Sequence, residues 1–105
     1  MNSREFLISK INQIIQQYPQ LKAIYEYSVP YDLHLVEFFP ADFHENCPEL
    51  IREESHIIGE FIQLFEDEDV CFFSGDDMLV VENPTYEAKG KDYVEPVTEF
   101  AKSFH

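Results

Sequence analysis

The stretch LFEDEDVCFFSGDDMLVVENP, residues 64–84, decides how the second half of the chain is folded. Two apolar runs, "VCFF" and "MLVV", flank "SGDD", and acidic residues stand on both sides. Gly75 and Asp76 as central residues suit a two-residue hairpin loop with glycine first. That register sets Phe73 opposite Met78, Cys71 opposite Val80 and Asp69 opposite Glu82. One face, Val70, Phe72, Leu79 and Val81, is wholly apolar. The other is apolar at Cys71, Phe73, Met78 and Val80 and acidic at its end. Like charges directly opposite one another destabilise a strand pair, so Asp69 and Glu82 call for a nearby lysine, a bound cation, a basic partner or separation by fraying, or else the register is different.

Upstream, Asn2 and Glu5 have the spacing of a capping box, and Leu7, Ile8, Ile11, Ile14, Ile15 and Tyr18 recur at helical period. Pro19 ends this first helix, since a residue before proline avoids the α region. "LKAIYEYS" and "YDLHLVEFF" are rich in aromatic and β-branched residues, and "VPYD" between them favours a turn. They read as a hairpin of residues 22–28 and 32–39. "ADFHENCPEL" reads as a link, with Pro48 placed to open a second helix. Leu50, Ile51, Ile58, Phe61, Ile62 and Phe65 form its stripe, interrupted at Glu54 or Ser55. "NPTYEAKGKD" reads as a loop. From about Val94 the spacing of Val97, Phe100, Ala101 and Phe104 predicts a short C-terminal helix.

The expected fold is therefore α+β in the order α-β-β-α-β-β-α. Two hairpins make an antiparallel four-stranded sheet with both long helices on one face. Residues 1–105 suit one domain. The sheet's second face is too apolar at Cys71, Phe73, Met78 and Val80 to meet water bare. Either the C-terminal helix or a second copy of the chain is expected to cover it.

The formal charge is −14, from 21 acidic and 7 basic residues. Between Asp42 and Glu82 stand 13 of the acidic residues and a single basic one, Arg52, so −12 falls in the middle of the chain. Such a chain is repelled by nucleic acid and by anionic membranes and is drawn to cationic surfaces. No apolar run is long enough for a spanning helix. The N-terminus, beginning at Met1 and broken by Arg4, Lys10 and Asn12, lacks a secretory pattern, so a cytoplasmic location is expected. Two cysteines, Cys47 and Cys71, do not make a disulfide framework.

Catalytic and metal motifs are weak. An EF-hand starting at Asp67 or Asp69 would put "VCFF" at its ligand positions. His44, Cys47 and His56 lack the paired spacing of a zinc site. No P-loop, nucleophile elbow or dinucleotide glycine pattern occurs. No cofactor or metal is expected. Three readings remain. The first is a non-catalytic interaction module whose acidic surface (Glu66, Asp67, Glu68, Asp69, Asp76, Asp77 and Glu82) docks on a basic protein. Domains that neutralise a basic toxin or nuclease share this charge and size, though no motif of such a family is present. The second is a homo-oligomer joined through Cys71, Phe73, Met78 and Val80. The third is a small metal-dependent hydrolase using Asp69 and Glu82, or His44, Cys47 and His56.

Overall fold

Helix α1 (Ser3–Gln17) opens as its sequence demands: the Asn2 side chain accepts the Glu5 N–H at 2.8 Å, and the Glu5 carboxylate accepts the Asn2 N–H at 3.2 Å. This computed structural model describes residues 1–75 and 79–96. Phe6, Leu7, Ile11, Ile14 and Ile15 of α1 are buried, so the helix lays one apolar stripe on its neighbours.

Strands β1 (Lys22–Ser28) and β2 (Leu33–Phe39) form the expected antiparallel hairpin, with Ala23 opposite Phe38, Tyr25 opposite Val36 and Tyr27 opposite His34. Asp32 takes the left-handed conformation in the connecting turn, with φ +51°, which aspartate tolerates better than most residues. A short helix α2 (Ala41–Glu45) fills the segment expected to be only a link. Helix α3 (Pro48–Leu64) begins on its proline. Its buried stripe is Leu50, Glu54, Ile57 and Phe61. Ile51 and Ile62, expected inside, are exposed. The stripe runs straight through Glu54, because that carboxylate has a buried partner.

Strand β3 (Val70–Phe73) corrects the expected second hairpin. It pairs in parallel with β2, His34 opposite Val70 and Val36 opposite Phe72. A parallel neighbour needs a long crossover, and α3 supplies it. Residues 79–81 form no strand, so Asp69 and Glu82 are not a cross-strand pair. The fourth strand is instead β4 (Tyr86–Lys89), antiparallel to β1, in the segment expected to be a loop. The sheet is mixed, in the order β3-β2-β1-β4. Val94, Glu95 and Pro96 are not helical; the rest of the expected terminal helix lies outside the described residues.

Both long helices lie on one face, as expected. Their apolar stripes meet Ala23, Tyr25, Val36 and Phe38 in one cluster, with Val70, Phe72, Tyr86 and Ala88 at its margin. Phe61 contacts Phe6, Phe65 and the His34 ring. Each such buried large side chain contributes about 1.5–3 kcal/mol relative to exposure. On the second face Leu35, Phe73 and Val81 form a smaller cluster with Ile24, Leu33, Cys71 and Leu79. Residues 79–83 thus cover that face as an irregular strap. Glu37 accepts the Val81 N–H, and Glu26 accepts those of Glu82 and Asn83.

Candidate functional site

The topology gives the sheet two unlike ends. Where β2 and β3 begin, the His34 N–H donates to the Asp69 carbonyl at 3.0 Å. This sets the 66–69 run beside the β1–β2 turn and Asp32. Glu66, Asp67 and Asp69 are exposed there. At the other end Lys22 stands directly opposite Lys89. Two like charges in that register repel. The Tyr93 ring lies 5.5 Å from Lys22 Nζ and 6.0 Å from Lys89 Nζ, and Lys89 donates to Glu95 at 2.7 Å. These contacts offset the repulsion. The bond from Lys89 holds the Glu95 carboxyl below, and Lys89 itself above, the ordinary range. A cleft of about 350 Å³ opens at this end, lined by Ile15, Gln16, Pro19, Lys89, Gly90 and Lys91.

One member of the acidic run is tied inward. Glu68 Oε1 accepts the Ser3 hydroxyl at 2.6 Å and bonds His34 Nε2 at 2.7 Å, and His34 Nδ1 meets the Tyr25 hydroxyl at 2.7 Å. A carboxylate only accepts, so Nε2 carries the proton; in the neutral ring Nδ1 then accepts from Tyr25. The Ser3 and His34 bonds hold the Glu68 carboxyl below its ordinary range. Burial pushes the Tyr25 hydroxyl up, against the Arg4 guanidinium 5.6 Å from the ring centre. His34 is buried, and Tyr25 and Tyr27 contact its ring. This chain of bonds joins α1, both hairpin strands and the start of β3.

A second buried histidine sits at the opposite end of the sheet. His44 Nε2 meets Glu54 Oε2 at 2.5 Å, and Nδ1 meets Ser74 Oγ at 2.6 Å. By the same reasoning Nε2–H donates to Glu54, and Ser74 donates to Nδ1 in the neutral ring. The order of bonds is that of a nucleophile–base–acid triad. Neither cleft described here is lined by Ser74 or His44. The arrangement fastens α2 and the exit of β3 to α3, with the Phe38 ring stacked on His44 at 4.9 Å.

The residues singled out from sequence are thus dispersed. Glu66, Asp67 and Asp69 share the turn end with the partly exposed Glu68; Asp76, Asp77 and Met78 lie outside the described residues. Glu82 is exposed on the second face beside Glu26. Of the proposed oligomer contact, Phe73 is buried by the chain's own strap, Cys71 is half-buried and Val80 is exposed. His44 is engaged with Glu54, Cys47 packs on the main core, and His56 is exposed on α3. Among the described residues no group of three or more His, Cys, Asp or Glu side chains is placed to hold a metal. None of their helices is long and apolar enough to cross a membrane.

Sequence reasoning missed Glu26, Ser28 and Tyr31. With Pro30, Val80, Glu82 and Asn83 they line a second cleft, of about 170 Å³. No short motif marks them, because the strap that brings Val80 and Glu82 to β1 is irregular. No family model matches the chain, and no match was found among curated proteins or solved structures.

Proposed function

We propose that the chain is a non-catalytic interaction module that docks the turn end of its sheet on a basic protein surface. The supporting observation is the clustering of exposed carboxylates at the turn end. Asp32, Glu66, Asp67 and Asp69 stand at one end of the sheet, and Lys22 and Lys89 face each other at the other. Among the described residues the lysine–carboxylate pairs are Lys10–Glu60 and Lys89–Glu95, and Arg4 lies beside Tyr25 near the turn end; Glu66, Asp67 and Asp69 are in neither lysine pair. The field of such a cluster steers a cationic partner into register and weakens as salt screens it. We assign the cytoplasm as its setting, where Cys47 and Cys71 stay as thiols. Self-association through the second face has less support, because Phe73 is already covered.

The test is a pull-down from native lysate at low and at high salt with two triple variants. One is Glu66→Gln, Asp67→Asn and Asp69→Asn; the other neutralises Glu45, Glu49 and Asp92. The proposal expects a basic protein held at low salt by the wild type and the second variant and lost by the first. Equal retention by both variants would reduce the effect to net charge and end the proposal.

A further inference from the structure

On the second sheet face, the 170 Å³ cleft between β1, the β1–β2 turn and the strap has the features of a side-chain pocket. Its size is well below the roughly 300 Å³ at which drug-sized sites begin, so it suits one inserted group. Its walls are mixed: Pro30 and Tyr31 of the turn and Val80 of the strap are apolar, with Tyr31 62% and Val80 53% exposed, while Glu26, Ser28, Glu82 and Asn83 are polar. Glu26 and Glu82 bring two carboxylates to it, and no basic side chain lines it. Glu26 is held in place, because its Oε1 accepts the Glu82 N–H at 3.0 Å.

Ser28 adds an independent observation. It is only 8% exposed and lines the cleft. Its hydroxyl has no hydrogen-bond partner among the described residues, yet no buried side-chain polar atom there is left unsatisfied. The hydroxyl is therefore not fully enclosed by protein, and Ser28 is among the residues that line the cleft.

We infer that this cleft takes an arginine side chain of a basic protein partner. The inference rests on the interaction reading above and gives it a second contact, on the adjoining face. A guanidinium presents five donors in a planar fork that matches carboxylates, and its aliphatic stem lies along apolar walls. Here Glu82 and Glu26 supply the carboxylates, Ser28 an acceptor oxygen, Val80 and Pro30 the wall for the stem. The exposed Tyr31 ring offers a face to the cation.

The experiment uses the full chain and two short peptides that differ in one residue, arginine or its uncharged isostere citrulline. Binding is followed by isothermal titration and by amide chemical shifts. The arginine peptide is expected to bind about tenfold or more tighter than the citrulline peptide, as a charge-assisted pair implies. Shifts should centre on Ser28, Tyr31 and Val80. The exposed substitution Glu82→Gln should remove most of the preference, as should Tyr31→Ala, while the Glu66/Asp67/Asp69 variant keeps it. Equal binding of both peptides, or shifts confined to 66–69, overturns the pocket. If Glu82→Gln keeps the arginine preference while the 66–69 variant loses the basic protein, the pocket fails and the docking proposal stands.

Discussion

At the scale of single residues, the two buried histidines carry most of what composition could not reveal. Each has both ring nitrogens engaged, and each is held by a glutamate outside its own element, 34 residues away for His34 and 10 for His44. Glu68 has its carboxyl lowered by Ser3 and His34. A carboxyl whose folded pKa lies below its unfolded value, about 4.3, adds stability above that value and loses it as pH falls through the folded pKa. Glu68→Gln should therefore lower the melting temperature at pH 7, with the difference from wild type shrinking as pH falls below about 4. A difference that does not change with pH would contradict this. Glu54→Ala strands His44 Nε2 in the interior and should cost about 1–3 kcal/mol in urea unfolding. Adding His44→Ala should cost less than the sum of the two single changes, since the partners share one bond. Additive costs would mean that the pair is not coupled. The sequence offered a hint of this pair, the polar break at Glu54 in the stripe of α3. Periodicity alone treats such a break as a defect, because it cannot see a partner supplied by another element.

At the scale of elements, what was legible depended on local signals. The capping box of Asn2 and Glu5, the proline before α3 and the "VPYD" turn are short-range, and α1, α3 and the β1–β2 hairpin follow from them. The partner of "VCFF" is set by long-range packing. A continuous apolar run is what a strand buried on both faces shows, and Val70–Phe73 meets the main core on one side and the second cluster on the other. "SGDD" suggested a hairpin loop, but residues 79–83 lie as a strap across the second face. Strand β4 was hidden by its brevity and by Pro84 and Gly90 at its flanks, though Tyr86 and Ala88 do alternate with Glu87 and Lys89. Gly90 marks its end for a steric reason: a Cβ there would sit 2.0 Å from the Pro19 carbonyl oxygen. Gly90→Ala should cost about 1–3 kcal/mol through overpacking. Amide exchange should show the loss concentrated in Tyr86–Lys89, and unchanged protection of β4 would count against the close approach.

At the scale of the whole molecule, the sequence located the charge along the chain but not in space. Residues 66–69 come together with Asp32 because β3 starts beside the β1–β2 turn, a consequence of the parallel pairing. Glu82 was placed with Asp69 by the hairpin register, and the observed topology moves it to the other face beside Glu26. The acidic end and the cleft therefore occupy adjoining surfaces, with Lys22 and Lys89 paired at the far end. The clustering of carboxylates at the turn end is the basis of the docking account. Its most direct test is the affinity of the captured basic protein measured across a salt series, for wild type and for the two triple variants. The account predicts steep weakening with salt for wild type and for the Glu45/Glu49/Asp92 variant. For the Glu66/Asp67/Asp69 variant it predicts affinity lower by about tenfold or more, with a shallower salt slope. Identical affinities and slopes for the two variants would contradict it.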